Sequence, residues 1–361
     1  MIDNLVEISE LTRVRIPVEH QRKIVIVGAG SIVAVGHLPA YRALNLPIAG
    51  IYDLDVSRAR SLAERFEIEK VYDRIEDAIN DPETEVLDIA VLPWAQPDVA
   101  RVALKSGKHV LCQKPLAPDL ATARELVSLA ESKDRHLAVN QQLRWDEGIA
   151  VAKQMIERDW IGRVESMSFD VDITTDVTQW TWLVESDRFD FMYHSIHYFD
   201  SIRYLLGNPE RVFSVASRAQ NSGIKGETKT NSVLKYADGR RAVVNVNHDN
   251  FSGDQRAEFR IEGTTGIIKG TMGLLYDYPL GRPDTLEVFS TSLPTDGWLK
   301  YPITRRWIPD AFGGPMAGLL AWIADGTMTT SSGRENLGTL SLLEALYRSS
   351  ETGDSQMLEV I

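Results

Sequence analysis

Residues 23–33 read KIVIVGAGSIV, a short β-branched run that leads through two glycines into a helical pattern. Gly28 permits a tight turn between strand and helix, and Gly30 lets the backbone approach a pyrophosphate at the helix N-terminus. Free backbone N–H groups and the helix dipole favour an anion there. Such turns have glycine or alanine at the third position, where this chain has Val33, so the helix is expected to pack slightly farther from the strand. The stretch predicts a dinucleotide-binding turn.

The next predicted strand ends at Asp53, about 20 residues downstream, where dinucleotide-binding turns have an acidic residue. A carboxylate there accepts hydrogen bonds from the adenosine ribose and repels a 2′-phosphate, which favours NAD over NADP. Arg58, a few residues later, offsets part of that repulsion. The alternative is a glycine turn that serves only as a loop, followed by a chance aspartate.

Residues 22–141 alternate short apolar runs with longer amphipathic stretches, the pattern of βα units around a parallel sheet. Helices are predicted over residues 57–66 and 119–131, with Ser57 and Asp119 as their N-terminal caps. The predicted strands are residues 23–27, 48–52, 86–92, 109–112 and 136–140.

After residue 142, longer alternating strands joined by tight turns predict a mostly antiparallel sheet with added helices. The predicted strands are residues 165–173, 211–217, 231–236, 241–247, 257–262, 266–270 and 285–290, and the predicted helices are residues 312–325 and 336–349. The predicted domains are therefore residues 1–141, with residues 1–21 as an N-terminal extension, and residues 142–361.

The composition is typical of a folded globular chain and excludes several classes of partner. The 361 residues include 39 Lys and Arg against 51 Asp and Glu, and the net charge of −12 argues against nucleic acids and anionic membranes as partners. The single cysteine, Cys112, cannot form an intrachain disulfide, and no apolar stretch approaches the roughly 18 residues of a membrane span. A cytoplasmic protein is expected.

A lysine follows the predicted strand at residues 109–112, in the order Gln113-Lys114-Pro115. Ligands of open α/β sheets bind at the carboxyl ends of such strands. Because the residue before a proline has a restricted backbone, the Lys114 ammonium is expected to point into that crevice. The alternative is a solvated lysine in an ordinary turn.

The stretch GKHVLCQKPLA at residues 107–117 is similar to the GKHV–EKP–LA signature of the Gfo/Idh/MocA oxidoreductases. The resemblance extends over most of the chain. It includes the GAG turn, Asp53, Arg144-Trp145, HYFD at residues 197–200, EGTTG at 262–266 and SGRENLGTLSLLEALYRSSETG at 332–353. It implies an α/β Rossmann domain, then an α+β domain with a large, open, mostly antiparallel sheet that often mediates oligomers, and pyridine-nucleotide-dependent oxidation of sugars, polyols or their derivatives.

Two positions depart from the family pattern. Gln113 replaces the usual glutamate before Lys-Pro, which removes a negative charge, favours a lower pKa of Lys114 and resembles aldose dehydrogenases of the D-apiose type. Tyr193 replaces the aspartate of the family's D-x-G-x-H-x-x-D stretch, and Ser195 replaces its glycine.

The resemblance assigns His197 as the group that takes the hydroxyl proton and Lys114 as the group that holds the same oxygen, with Tyr193 or His194 completing the relay. The predicted catalytic residues are Lys114, His197 and Tyr193, and the predicted substrate residues are Lys114, Arg144, Trp145, Tyr193, His194 and His197. The predicted cofactor-binding residues are Gly28, Gly30, Ser31, Ile32, Asp53, Arg58, Pro93, Trp94, Gln113 and Lys114.

A metal site built from His194, His197 and Asp200 is the alternative interpretation of the histidine cluster. No metal is expected, because no cysteine or acidic ligand cluster adjoins these residues in the sequence and hydride transfer in this family needs none. A further alternative is that both histidines are merely packed in a helix.

The sequence favours an NAD-dependent dehydrogenase, NAD preferred over NADP, that oxidises a hydroxyl of a sugar, polyol or sugar acid. One alternative is an enzyme with tightly bound NAD and net non-redox chemistry on a carbohydrate: isomerisation, elimination or glycoside cleavage. Another is a catalytically silent dinucleotide-binding protein. The expected partners are a small carbohydrate and further copies of the chain, as a homodimer or homotetramer, with no nucleic acid or membrane.

Overall fold

The computed structural model describes residues 2–276, 278, 281–294 and 296–359. Its internal contacts divide the chain into two compact units. The parallel-sheet unit comprises Val14–Trp145 and Ile308–Leu340, and the large-sheet unit comprises Met1–Arg13, Asp146–Trp307 and Ser341–Ile361.

Helices and strands are numbered in chain order. The helices are α1 (Ile2–Leu11), α2 (Leu38–Ala43), α3 (Val56–Phe66), α4 (Ile75–Ile79), α5 (Gln96–Lys105), α6 (Leu120–Ser132), α7 (Glu147–Glu157), α8 (Thr181–Val184), α9 (Ile196–Leu206), α10 (Gly313–Asp325) and α11 (Gly333–Thr352). The strands are β1 (Ile24–Val27), β2 (Ile48–Tyr52), β3 (Val86–Ile89), β4 (His109–Gln113), β5 (Leu137–Asn140), β6 (Val164–Asp172), β7 (Arg211–Ser217), β8 (Lys229–Lys235), β9 (Arg241–Asn247), β10 (Arg256–Gly263), β11 (Gly266–Thr271), β12 (Thr285–Ser290), β13 (Leu299–Tyr301) and β14 (Gln356–Met357).

The parallel-sheet unit confirms the predicted Rossmann fold. Within the described residues its sheet has the order β2-β1-β3-β4-β5, with parallel pairing throughout. Val71 adds a parallel bridge to Ile51 at the outer edge, which extends the order to that of a doubly wound dinucleotide-binding sheet. β1, β3 and β5 are buried along their whole length, as the continuous apolar runs predicted.

The N-terminal caps of α3 and α6 can be compared with the predicted ones. Asp119 caps α6 as predicted, because its Oδ1 accepts a hydrogen bond of 2.8 Å from the backbone N–H of Thr122. Ser57 does not cap α3. Asp55 does, accepting from the Ser57 backbone N–H at 3.0 Å, so the helix begins one residue earlier than predicted and Ser57 lies in its first turn.

The large-sheet unit contains, within the described residues, a sheet of order β13-β12-β11-β10-β6-β9-β8-β7-β14. Neighbouring strands are antiparallel except β6 and β9, which pair in parallel. Side chains along β7, β8 and β9 alternate between buried and exposed, so one face packs on helices such as α9 and the other is open. The predicted mostly antiparallel sheet is confirmed.

The two units are not the contiguous domains that the sequence suggested. Residues 1–13 of the predicted N-terminal extension belong to the large-sheet unit, where α1 packs on α7 and Ile8 is fully buried. Ile308–Leu340 returns to the parallel-sheet unit, because the apolar face of α10, with Met316 and Leu319, joins the core beside β1. No helix among the described residues has the length and apolarity to cross a bilayer.

Candidate active site

The glycine turn after β1 has the geometry that its two glycines predicted. Gly28 has a φ of +111°, and a Cβ there would lie 2.3 Å from the carbonyl oxygen of Ala90, so only glycine fits. A Cβ on Gly30 would meet no atom within 4 Å. The helical segment that follows, which is π-helical over Val33–His37 and leads into α2, therefore begins beside open space at Gly30, with Ser31 exposed and Ile32 half-buried. This is the room that a dinucleotide pyrophosphate needs.

Asp53, which directly follows β2, is hydrogen-bonded to this turn. Its Oδ2 accepts a 2.6 Å hydrogen bond from the Ala29 backbone N–H, and its Oδ1 accepts one of 2.8 Å from the Asp55 backbone N–H. The carboxylate is half-buried, so it also has a solvent-facing side on which ribose hydroxyls can donate. Arg58 pairs with Asp55 instead, at 3.3 Å, and is largely exposed.

Apolar side chains are exposed where β2 and β3 end. Leu54 is 92% exposed directly after Asp53, and Leu92 and Trp94 are 43% and 56% exposed after β3. Pro93 between them is half-buried. Exposed apolar side chains are unfavourable in water, so a group of them at the carboxyl edge of a parallel sheet indicates a binding surface. Such a surface suits a ligand with flat rings that cover these side chains. These observations and the open Gly30 turn together fit a bound dinucleotide.

Lys114 directly follows β4, at the same edge of the sheet, and its peptide bond to Pro115 is cis. The Gln113 side-chain oxygen accepts from the Lys114 backbone N–H at 3.1 Å. Desolvation lowers the pKa of the Lys114 ammonium from 10.5 to about 8, although the side chain is partly exposed. The lowered pKa of Lys114 therefore has desolvation as its cause.

Gln96 is a positioning residue that the sequence pattern did not reveal. It lies buried at the start of α5, and its Nε2 donates to the carbonyl oxygens of Gln113, Pro115 and Leu116 at 2.7, 2.8 and 3.2 Å. This one amide therefore fixes the backbone on both sides of Lys114. Its only sequence signal is a glutamine at a helix start, which is too common to single out.

Arg144 and Trp145, two of the predicted substrate residues, both make contacts within the parallel-sheet unit. Arg144 is 2% exposed, and its guanidinium forms a 2.6 Å ion pair with Glu335 and donates to the carbonyl oxygen of Thr330. The Trp145 ring lies on Gly314 so closely that a Cβ there would be 2.0 Å from it. A buried, doubly paired arginine has little capacity left for a ligand.

The remaining predicted site residues lie in the large-sheet unit. Tyr193 and His194 end a π-helical turn, Asp190–His194, and His197 lies in the first turn of α9. The His197 ring is 6% exposed and packs edge-on against Trp307, with 5.2 Å between ring centroids. Tyr193 is half-buried and packs edge-on against Trp182, and burial raises the pKa of its phenol. A buried histidine and a neutral phenol can take and hold a proton.

His194 does not combine with His197 and Asp200 in the structure. The three metal-ligating groups that come together in the described chain are Asp190, His194 and His248, with their ligand atoms within 4.8 Å of one another. Asp190 and His194 are four residues apart on one turn, but His248 follows β9, far away in the sequence. Of this group, the sequence could have revealed only the pair Asp190 and His194, through their Asp-x-x-x-His spacing.

The comparisons with known proteins agree with the fold and the dinucleotide turn. Residues 22–141 match the Gfo/Idh/MocA oxidoreductase family, NAD-binding Rossmann fold, and residues 149–269 match the Gfo/Idh/MocA C-terminal domain. A D-apiose dehydrogenase of Paraburkholderia graminis is 28% identical over 348 residues, covering 90% of this chain and 88% of the relative. A D-xylose 1-dehydrogenase (NADP(+)) of Haloferax volcanii is 22% identical, covering 92% of this chain and 99% of the relative.

A solved structure is similar over nearly the whole chain. An oxidoreductase from Agrobacterium radiobacter, crystallised with NAD+, L-tartaric acid and magnesium, is 25% identical, with a TM-score of 0.82 over 93% of this chain and 98% of that one. The two family domains, the open glycine turn and this likeness lead to one conclusion: the chain belongs to the Gfo/Idh/MocA family of oxidoreductases.

Proposed function

We propose that this protein is an NAD-dependent dehydrogenase that oxidises a hydroxyl group of an unphosphorylated sugar, polyol or sugar acid. The observation that carries the proposal is the shared position of the open Gly30 turn and the desolvated Lys114. Both lie at the carboxyl edge of one parallel sheet, after β1 and β4. A cation at that edge is suited to hold an oxygen that becomes negative as an alcohol is oxidised.

The residues of this chain have separate roles in that reaction. NAD, when bound, accepts the hydride that leaves the substrate carbon. Lys114 donates a charge-assisted hydrogen bond to the substrate oxygen as negative charge develops on it. His197 takes the hydroxyl proton, its ring held by the edge-on contact with Trp307. Tyr193 passes that proton onward or orients the substrate.

The preference for NAD over NADP rests on Asp53. Its carboxylate is held by Ala29 and Asp55 in a position where a 2′-phosphate would meet a fixed negative charge. Relatives differ on this point, since the Haloferax enzyme carries NADP(+) in its name. Asp53→Asn keeps an oxygen that accepts from Ala29 and removes the charge, so it should narrow the ratio of kcat/KM for NAD to that for NADP by about tenfold.

Two observations support the proposed substrate class: the names of two relatives and a motif that the sequence does not show. Two relatives named for pentoses, D-apiose and D-xylose, align over nine tenths of this chain. The sequence shows no second glycine loop of the anion-binding type, which disfavours a phosphorylated sugar. An uncharged pentose is therefore the first substrate to test.

The decisive experiment measures NADH formation by purified protein with NAD or NADP and a panel of pentoses, hexoses, inositols and aldonic acids. We expect turnover with NAD that His197→Ala abolishes, while the control His20→Ala, outside the site, leaves it unchanged. No turnover across the panel contradicts the proposal. Substrate consumption without NADH favours instead an enzyme that retains NAD and performs isomerisation, elimination or glycoside cleavage.

We also propose that a second copy of the chain covers the open face of the large sheet. Phe213, Val233 and Val243 are register neighbours on β7, β8 and β9, and they are 41%, 45% and 36% exposed. A continuous apolar row of this kind favours self-association. Light scattering should give a dimer or tetramer, and Val233→Glu should yield a smaller species, whereas Lys133→Glu, at an exposed position of the parallel-sheet unit, does not. A monomeric wild-type protein contradicts this.

A further inference from the structure

We propose that Asp190, His194 and His248 of the large-sheet unit form a binding site for a divalent transition-metal ion. His248 Nε2 lies 2.8 Å and His194 Nδ1 lies 3.7 Å from the same oxygen, Asp190 Oδ1. Ligand atoms bound at about 2.1 Å from one ion are roughly 3–4 Å apart. Small side-chain rotations therefore suffice to bring all three groups onto one ion.

Hydrogen bonds hold the His248 ring and the Asp190 carboxylate, at the atoms that face away from the trio and at Asp190 Oδ1 itself. His248 Nδ1 lies 2.8 Å from the hydroxyl of Thr175, which can accept from Nδ1–H and leave the Nε2 lone pair facing Asp190. Ser195 Oγ donates to Asp190 Oδ1 at 2.6 Å, and Thr230 Oγ1 donates to Asp190 Oδ2. Histidine ligands whose second nitrogen is fixed in this way are typical of metal sites.

A proton or a metal cation must lie between the His248 ring and the Asp190 carboxylate if the Nε2 lone pair faces that carboxylate. Asp190 and His248 are both fully buried, and a 2.8 Å approach of a nitrogen lone pair to a carboxylate oxygen is repulsive unless a proton or a cation lies between them. His194 is the exposed member of the group, with 18% of its side chain accessible. An ion held here is therefore reached from the His194 side, where water or a hydroxyl group completes its coordination.

Two imidazoles and one carboxylate select the kind of metal. This ligand set suits zinc, iron(II), cobalt(II) or manganese, whereas magnesium prefers oxygen ligands only. His197, which the sequence grouped with His194, packs on Trp307 and lies outside the trio. The site is thus distinct from the metal set that the sequence had suggested, and its test does not depend on the dehydrogenase activity.

The test uses protein without an affinity tag, stripped with EDTA and dialysed against zinc, cobalt or magnesium chloride, with bound metal measured by mass spectrometry. We expect one zinc or cobalt ion per chain, no magnesium, and a visible cobalt absorption band. His248→Gln and His194→Gln should lose the ion, and His197→Gln should keep it. Thr175→Val, which keeps every ligand, should weaken zinc affinity about 10–100-fold.

Three results would overturn the proposal: no zinc above background in the folded wild-type protein, undiminished zinc in both His248→Gln and His194→Gln, or loss of zinc in His197→Gln alone. Because His194 is partly accessible and His248 is fully buried, His194→Gln is less prone to unfold than His248→Gln. If His248→Gln fails to fold, His194→Gln and Thr175→Val still decide the question, because both leave the buried carboxylate and its donors in place. If the folded wild-type protein binds no zinc above background, a proton, and not a metal, lies between Asp190 and His248.

Discussion

The side-chain nitrogen of Gln96 lies 2.7 Å from the carbonyl oxygen of Gln113, so the start of α5 holds the end of β4. The same nitrogen donates to Pro115 and Leu116, beyond the cis peptide bond. Lys114 thus extends from a backbone segment that is fixed on both sides by one buried amide. The position of its ammonium depends on this contact as well as on β4 itself.

Replacing Gln96 should therefore impair the reaction, although Gln96 acts through the backbone around Lys114 and not by contact with the substrate. Gln96→Glu places a carboxylate against three carbonyl oxygens, and a buried polar group without a donor costs about 1–3 kcal/mol. We expect kcat to fall by about tenfold or more, with a lower Tm, while Asp98→Asn on the same helix changes neither. Unchanged kcat in folded Gln96→Glu would mean that this amide does not position Lys114.

The two glycines of the nucleotide turn should respond oppositely to substitution. Gly30→Leu extends into open space, so it should leave Tm nearly unchanged and abolish NAD binding. Gly28→Ala forces a Cβ to within 2.3 Å of the Ala90 carbonyl oxygen at a φ of +111°, so it should lower Tm by several degrees. Calorimetric NAD titration and thermal unfolding check both, and NAD binding retained by Gly30→Leu would contradict the assigned pyrophosphate position.

Lys114 should impose an upper pH limit on turnover. Its pKa of about 8 means that the ammonium is charged below pH 8 and loses its proton above. Because the charged form stabilises the developing negative oxygen, kcat should decline as pH rises through about 8. Lys114→Arg, whose guanidinium stays charged, should lose this decline at a reduced kcat. A wild-type profile that keeps rising to pH 10 would contradict the role.

Asp284 should make the large-sheet unit less stable as pH rises. Burial, together with the nearby Glu147 charge, raises the pKa of Asp284 from 3.8 to about 6. The folded state therefore holds a proton more tightly than the unfolded state, so its stability falls between pH 4 and pH 6 and the full penalty is present above pH 6.

Asp284→Asn removes that penalty and retains an oxygen that accepts from the Gly273 backbone N–H. It should raise Tm by a few degrees at pH 7.5 and have little effect at pH 4. Asp254→Asn, at an exposed position, serves as the control. A stabilisation by Asp284→Asn that is equal at both pH values would exclude ionisation of Asp284 as its cause.

Local patterns in the sequence were sufficient for the bounds of several elements in both units. β2, β7, β9 and β12 have the predicted bounds, and Asp119 caps α6 as predicted. The π-helical turn at Asp190–His194 was not foreseen, since its irregular hydrogen bonds leave no sequence period. The parallel pairing of β6 with β9 was also missed, because alternation of side chains does not specify the strand partner.

The sequence by itself determined the βα order, the glycine turn and Asp53, because each depends on neighbours within a few residues or on the period of a strand or helix. Only the tertiary structure decided which distant side chains meet. Arg144 pairs with Glu335, Gln96 donates to the segment around Lys114, and Asp190 lies against His248. These pairings satisfy buried polar groups across large sequence separations, and burial is a property of the packed chain that no local pattern encodes.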